Sequence, residues 1–245
     1  MSEIIKTQAI VLRRINFGDS SKIATFYSED FGKISAIIKG ARSPKSKIGF
    51  LIDTTNLLQI VLYKKETRDL QIVGDVDLIK SYSRIRDDYE KFKYASAILE
   101  LLISLTLENE NNKKLFDGTV KIFALLDGAG NNPKLLFAKY FLFFLKEIGY
   151  ELQFQICSIC RKPLVQGDSV SYNYENGLLC SECRKDRLTV FDFTKELFNL
   201  MLCLNSKNND IQYCEKELDS IIQLLERFLM NHVNEFTGIK SLKII

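Results

Sequence analysis

Histidine is almost absent from this chain of 245 residues, in which His232 is the only one. No serine or aspartate arrangement near it resembles a catalytic triad, and no HExxH motif, phosphate-cradling glycine loop or spaced carboxylate pair stands out. His232 follows Leu225 by one heptad near an apolar helical stripe, so we expect a packed or partner-facing imidazole. The residues alone therefore show no active site.

Long apolar runs are missing as well. The most apolar segment, residues 135–148, is interrupted by Lys139 and Lys146 and falls short of the roughly 18 to 20 residues that span a bilayer. The first residues alternate like a strand and do not resemble a secretory signal. We therefore expect no membrane association and a bacterial cytoplasmic location, where cysteines stay reduced.

Acidic residues are absent from residues 31–52. Cations scattered over such a segment are by default a solvated loop, but a segment of one charge sign also attracts phosphates. Aromatic rings on which bases stack are the second requirement for binding single strands. Five rings interleave with the cations, namely Phe17, Tyr27, Phe31, Phe50 and Tyr63. We predict a nucleic-acid-binding surface that comprises Arg14, Lys22, Lys33, Lys39, Arg42, Lys45 and Lys47.

Alternation of apolar and polar residues predicts five strands in the first eighty residues. They cover residues 8–15, 22–27, 33–39, 56–63 and 70–78. Five short strands suggest a small, partly open barrel of the OB type, with residues 40–49 as an exposed loop. From Ser81 the period changes to that of helices, which we predict at residues 89–103, 115–126, 133–149, 194–204 and 215–236.

Four cysteines carry the strongest chemical signal in the chain. Cys157 and Cys160 form one C-x-x-C knuckle, and Cys180 and Cys183 form a second. This spacing is typical of a closed tetrahedral site, so we predict one structural Zn²⁺ ion per chain. A redox pair of the thioredoxin kind and two disulfides are the alternatives. Between the knuckles, two turn dipeptides predict a β-hairpin over residues 170–174 and the strand that follows.

Five cations surround the two knuckles, at Arg161, Lys162, Arg184, Lys185 and Arg187. They either offset the negative charge of the thiolates or extend the nucleic-acid surface.

The predicted fold class is α+β with several domains. Residues 1–80 form an OB-fold nucleic-acid-binding domain, residues 81–150 and 188–240 an α-helical domain, and residues 151–187 an inserted zinc knuckle unit with four cysteine ligands.

This order of parts resembles the RecO family of bacterial recombination mediators. Residues 7–12 followed by Gly18-Asp19-Ser20 are similar to the opening strand and turn of that family, which more often has glutamate at the position of Asp19. Lys39-Gly40-Ala41-Arg42 with Ser46 is similar to its basic loop, and Gly149-Tyr150 to its lead into the cysteine unit. The resemblance covers essentially the whole chain.

The resemblance implies a non-enzymatic protein of the RecF pathway, acting at the nucleoid in DNA repair and recombination. Such a protein binds single- and double-stranded DNA, anneals complementary strands and, without nucleotide, helps RecR load the RecA recombinase. A second implied partner is the acidic C-terminal tail of the single-stranded-DNA-binding protein, in a groove of the helical domain. Two other interpretations stay open from the residues alone: a zinc-containing thiol oxidoreductase with Cys157 and Cys160 as its active pair, and an RNA-binding or transcription-associated zinc module.

Overall fold

A five-stranded closed barrel forms the N-terminal part of the computed structural model, which describes residues 3–206 and 213–243. Its strands are β1 (Glu3–Phe17), β2 (Ser21–Ser28), β3 (Gly32–Ile38), β4 (Leu57–Lys64) and β5 (Leu70–Lys80). They pair in the order β1-β2-β3-β5-β4. Every pair is antiparallel except β3 with β5, which is parallel and closes the barrel. The predicted strands and the five-stranded barrel are confirmed, although the barrel is closed rather than partly open.

The barrel core follows from the alternation of side chains along each strand. On β3, Ile34, Ala36 and Ile38 are buried, whereas Ser35 and Ile37 are partly exposed. The same core contains buried residues from the other strands, including Val11, Phe26, Leu58, Ile60, Leu62 and Val73. One side of each strand therefore faces the core, and the other side remains available for polar and basic residues.

A short helix, α1 (Lys47–Leu51), lies between β3 and β4, where the sequence predicted only a loop. The side chain of Ser46 caps it by accepting a hydrogen bond from the Gly49 amide at 3.1 Å. Gly49 is buried, and a Cβ at this position would lie 1.8 Å from the carbonyl oxygen of Ala41. Only glycine allows α1 to pack this closely against the preceding loop.

Three helices follow the barrel: α2 (Ser83–Asp87), α3 (Tyr89–Leu105) and α4 (Lys113–Asp127). Asp88 and Asn112 cap the two longer ones by accepting hydrogen bonds from the amides of Lys91 and Leu115. A 3₁₀ turn (Lys240–Lys243) near the C-terminus is held on α3 because Glu100 accepts hydrogen bonds from the backbone amides of Lys240 and Ser241. The described residues up to Leu136, together with those from Ile239 onwards, form one compact unit.

A second compact unit extends from Phe137 to Gly238. It contains most of α5 (Pro133–Glu147) and a sheet of strand order β7-β6-β8, with β6 (Val170–Asn173), β7 (Gly177–Cys180) and β8 (Phe191–Phe193). It also contains α6 (Lys195–Leu204) and α7 (Glu215–His232). The β6–β7 hairpin confirms the prediction, and β8 was missed. The division into residues 1–80, 81–150 with 188–240, and 151–187 stays a prediction.

The long helices lie where the periodicity placed them. On α7 the predicted apolar stripe is buried, with Leu218, Ile221 and Leu225 fully inaccessible. The helix ends at His232 rather than at residue 236. Among the helices that the described residues form, none combines the length and the apolar character needed to cross a bilayer.

Candidate nucleic-acid interface and metal centre

The loop between β3 and α1, together with the first residue of α1, presents four of the predicted cations to solvent. Lys39, Arg42, Lys45 and Lys47 are all exposed. Arg42 fixes the loop, because its backbone amide donates to the carbonyl of Ser20 at 2.9 Å and its guanidinium donates to that of Gly18. Within residues 3–206 and 213–243, no acid forms a salt bridge with any of these four cations. The loop is thus an anchored segment with uncompensated positive charge.

The other three predicted cations have partners within the protein. The guanidinium of Arg14 lies 3.0 Å from the carboxylate of Asp53, which also accepts from Arg86 at 3.0 Å. The Lys22 ammonium donates to the carbonyl of Gly49 at 2.7 Å, and burial, followed by the nearby Arg14 charge, lowers its pKa. Arg14 and Lys22 therefore lie together beside Asp53 and α1.

Lys33 lies apart from this pair. Its ammonium is half-buried and donates to the carbonyl of Ile103, near the end of α3, at 2.8 Å. Burial lowers its pKa, against the opposing charge of Glu108. The backbone carbonyl of Lys33 also accepts from the amide of Asn109 at 2.9 Å. The side chain of Lys33 therefore links the barrel to α3, and its backbone carbonyl links the barrel to the segment after α3.

The five aromatic rings differ in exposure, and Phe31 is partly buried against the barrel core. Phe50, on α1 beside Lys47, is 75% exposed, and Phe17 and Tyr63 are 49% and 39% exposed. Tyr27 is only 1% exposed and belongs to the core, so it cannot stack on a base. The exposure of Phe50 is costly in water, and its position next to the basic loop makes it the strongest candidate for base stacking.

A groove of about 510 Å³ lies between β1, α3 and the 3₁₀ turn. Phe92, Leu99 and Ile103 of α3 provide apolar surface, and Arg13, Arg14 and Lys240 line the same groove. Sequence reasoning missed this groove, because it joins three segments that are distant along the chain. Its combination of apolar and cationic surface suits an acidic peptide with an apolar end.

The four cysteines of the two knuckles converge on one point. Their sulfur atoms all lie within 4.8 Å of one another, and those of Cys160 and Cys180 are 3.8 Å apart. Four ligands 2.3 Å from a tetrahedral zinc ion would be separated by about 3.8 Å, whereas a disulfide requires about 2.05 Å. All four are free thiols, so the arrangement fits a metal ion and excludes two disulfides in this state.

Backbone turns shape each knuckle. The amide of Cys157 donates to the carbonyl of Lys162 at 2.8 Å, and Arg161 closes the turn in a left-handed conformation with φ of 62°. Cys180 ends β7, and its amide points at the sulfur of Cys157 at 3.4 Å. The Cys180 amide is a hydrogen-bond donor of the kind that thiolates at structural metal sites require.

The thiols differ sharply in acidity without a metal. Burial opposes ionisation of Cys157, but the backbone amides of Cys180, Cys160 and Ile159 outweigh it and lower its pKa to about 6. Burial, followed by hydrogen bonding to the neighbouring sulfurs, raises the pKa of Cys183 to about 12. The negative charge of one thiolate thus hinders ionisation of another thiol. A bound cation would neutralise this repulsion and allow all four thiols to ionise.

Two of the five cations near the knuckles have local structural contacts. Arg184 donates to the hydroxyl of Ser171 at 3.3 Å and lies 3.8 Å from Asp192, and Arg187 donates to the carbonyl of Cys183 at 2.9 Å. The other three, Arg161, Lys162 and Lys185, are exposed. These contacts show that Arg184 and Arg187 stabilise the local structure around the knuckles.

His232 is exposed at the end of α7, and its ring lies against that of Phe228. Its Nδ1 is 2.7 Å from the carbonyl oxygen of Phe228, and its ring centroid is 4.2 Å from that of Phe228. The remaining cysteines lie apart from the metal-site group: Cys203 is half-buried on α6, and Cys214 is exposed at the start of α7.

Comparison with known proteins gives matches over the whole length of the chain. A family model described as Recombination protein O N terminal matches residues 1–82, and one described as Recombination protein O C terminal matches residues 86–243. A protein of Chlorobium limicola named DNA repair protein RecO is 35% identical over 161 residues, 66% of this chain and 62% of that protein. Its namesake in Prosthecochloris aestuarii is 33% identical over 162 residues, 66% of this chain and 61% of that protein.

A longer match exists with the protein of the same name from Pelodictyon phaeoclathratiforme. It is 28% identical over 254 residues, which cover 99% of this chain and 97% of that protein. The chain therefore spans less than two-thirds of the first two relatives and nearly all of the third.

Proposed function

The chain belongs to the RecO family, and on this premise we propose that it is a non-enzymatic mediator of DNA repair and recombination in the RecF pathway. In this proposal it binds single- and double-stranded DNA, anneals complementary strands and assists RecA loading together with RecR. It acts in the bacterial cytoplasm, at the nucleoid.

The observation that carries the proposal is the anchored basic loop beside Phe50. Lys39, Lys45 and Lys47 are exposed cations without an acidic partner among the described residues, and Phe50 is largely exposed on the adjoining helix. Phosphates bound by the cations and bases stacked on the ring provide the two contacts that sequence-independent binding of a single strand needs. Arg14, Lys22 and Arg42 extend this surface, and Lys33 contributes where its contact with Ile103 is exchanged for a phosphate.

Annealing requires two strands whose mutual repulsion is screened. A basic loop on a closed barrel holds one strand without reading its sequence, which leaves base edges free to pair with a complement. Screening by the cations lowers the cost of bringing the second strand close. Neither step needs a nucleotide.

The groove between β1, α3 and the 3₁₀ turn supplies the second contact. We place the acidic, apolar-ended tail of the single-stranded-DNA-binding protein here, with Phe92 and Ile103 against its apolar end and Arg13 and Lys240 near its carboxylates. Two weak contacts, one to DNA and one to the protein that coats it, combine through effective concentration.

We further propose that Cys157, Cys160, Cys180 and Cys183 hold one Zn²⁺ ion. Four thiolates complete the shell, so the ion offers no open position to a substrate and acts as a brace. The segment that carries the two knuckles, residues 151–187, is too small to be stable on its apolar core alone, and metal binding supplies the missing stability.

Annealing of complementary strands coated with their binding protein tests this function. The full chain should accelerate annealing, and Lys39→Glu with Lys45→Glu should reduce the acceleration without changing thermal stability, because both side chains are exposed. Lys114→Glu with Lys121→Glu, which reverses two exposed lysines on α4, serves as the charge-matched control. No acceleration by the wild-type chain, at any salt concentration that leaves the coat intact, would refute the proposal.

A further inference from the structure

A cavity of about 260 Å³ lies within the second unit, beside the metal centre. Its lining comes from the segment before the first knuckle, from the β6–β7 hairpin and from α7. Neither the proposed DNA surface nor the proposed zinc site uses it. The volume is below the roughly 300 to 1,000 Å³ of pockets that enclose whole small-molecule ligands, which favours a single side chain as its occupant.

Four aromatic rings form part of the cavity wall, those of Tyr172, Tyr174, Phe228 and His232. Tyr172 contacts Tyr174 edge-on at 5.6 Å between centroids, and it contacts Phe228 at 6.3 Å. Phe228 lies 4.2 Å from the ring of His232. Because these rings pack against one another, they form a continuous wall whose positions are fixed before any ligand arrives.

Two carboxylates line the same cavity, those of Glu151 and Glu175. Glu151 lies 2.8 Å from the Lys146 ammonium, which partly compensates its charge. Glu175 is exposed and forms no salt bridge with a cation in the described part of the chain. The imbalance leaves the cavity mouth with net negative charge.

His232 adds a further acceptor. Its Nδ1 donates to the carbonyl of Phe228, which leaves Nε2 as a lone-pair acceptor in the neutral ring. A cavity with aromatic walls, an imidazole acceptor and an uncompensated carboxylate is complementary to an organic cation.

We propose that this cavity binds the guanidinium or ammonium group of an arginine or lysine side chain, presented by a basic peptide segment of another protein. The cation lies against the partly exposed ring of Tyr174, with Glu175 as its counter-ion. Nucleobases also stack on such rings, but the phosphates attached to them would meet Glu151 and Glu175. Charge therefore favours the peptide.

Nuclear magnetic resonance titration tests the proposal with two short peptides, one carrying a single arginine and the other citrulline, its uncharged isostere. The arginine peptide should shift the resonances of Gly177, Tyr174 and His232 with one saturating curve, and the citrulline peptide should bind at least tenfold more weakly. Glu175→Gln should lower the affinity for the arginine peptide several-fold. Glu182→Gln, an equal charge change at an exposed position outside the cavity, should leave its affinity unchanged.

Metal content and the unperturbed resonances of α6 control for folding of each variant. Equal binding of the two peptides, or equal weakening by Glu175→Gln and Glu182→Gln, would overturn the proposal. So would shifts of the cavity resonances by a short oligothymidylate in place of the arginine peptide.

Discussion

Asp53 and Arg14 form an ion pair with 3.0 Å between carboxylate oxygen and guanidinium nitrogen, although they lie on different segments of the barrel. Asp53 is also bound by Arg86, and its charge acts on Lys22. One acid therefore restrains part of the basic surface that we assign to DNA.

Asp53→Asn should strengthen binding of single-stranded DNA. The change removes the counter-charge of Arg14, while the amide can still accept the hydrogen bond that the Thr54 backbone donates to residue 53. Exposed ion pairs are worth about 0.2 to 1 kcal/mol, so the gain should be about 1.5- to 5-fold at low salt. Fluorescence anisotropy with a labelled oligothymidylate measures it, with Asp77→Asn as a neutralisation at an exposed site that has no salt-bridge partner among the described residues. Weaker binding by Asp53→Asn would place Arg14 off the DNA-binding face.

Charge reversal in the basic loop should flatten the salt dependence of DNA binding. Each phosphate contact that is lost reduces the slope of log affinity against log salt by about one unit, through the counterions no longer released. Lys39→Glu and Lys45→Glu are the clean changes, because Arg42→Glu also removes the guanidinium hydrogen bond to the carbonyl of Gly18, which helps to anchor the loop. The measurement is the slope of log DNA affinity against log salt, taken from low to moderate salt for the wild type and the double variant. An unchanged slope in the double variant would contradict the assignment of the basic loop to the DNA-binding face.

Phe50→Ala should weaken single-stranded DNA binding more than duplex binding. Loss of one stacked base costs about 1 to 3 kcal/mol, or about 5- to 150-fold in affinity, and a duplex offers no free base to stack. Phe50→Tyr retains the ring and should bind like the wild type. Because the side chain is 75% exposed, the melting temperature should not fall. Equal losses for both kinds of DNA would rule out stacking.

Cys180→Ser should abolish stoichiometric zinc binding and destabilise the β6–β7 hairpin, whereas Cys203→Ser should leave both unchanged. The predicted metal content is one ion per chain, measured by elemental analysis after purification under reducing conditions. Thiol titration of the wild type should then detect rapid reaction only at Cys203 and Cys214. A metal-free protein with a rapidly reacting Cys157 and Cys160 pair would instead favour the thiol oxidoreductase.

Zinc uptake near neutral pH should release fewer than four protons. The pKa of Cys157 is lowered to about 6, so this residue is already a thiolate and gives up no proton, whereas Cys183, with its pKa raised to about 12, must lose one. As the pH falls through about 6, Cys157 also binds a proton and the apparent zinc affinity should fall more steeply. Calorimetry in two buffers of different ionisation enthalpy counts the protons, and release of four near neutral pH would contradict the assigned acidity.

Much of the fold could be predicted because its elements are long enough to show a period. The alternation in β3 and the apolar stripe of α7 both reflect burial of one face, which the sequence records directly. The cysteine spacing was equally informative, since two short knuckles determine which atoms can meet.

Contacts between distant segments could not be predicted, because they leave no periodic pattern in the sequence. The ion pair of Arg14 with Asp53, the hydrogen bond from Lys33 to Ile103 and the groove lined by Phe92 each depend on the packing of segments far apart in the chain. The helix α1 and the strand β8 were missed because five and three residues are too few to display a period. Single residues such as Tyr27 are also ambiguous, because an aromatic ring suits both a core and a stacking surface.

The close packing of Gly49 against Ala41 has a consequence for how quickly DNA can be captured. Gly49 also donates its amide to Ser46 and accepts from Lys22, so backbone contacts hold the residues flanking the basic loop before a strand arrives. Little conformational entropy is then lost by the protein on binding, and the encounter rate should depend on long-range attraction and not on loop closure. A bulkier residue at position 49 would loosen this arrangement and convert a preformed receptor into one that must order itself around each incoming strand.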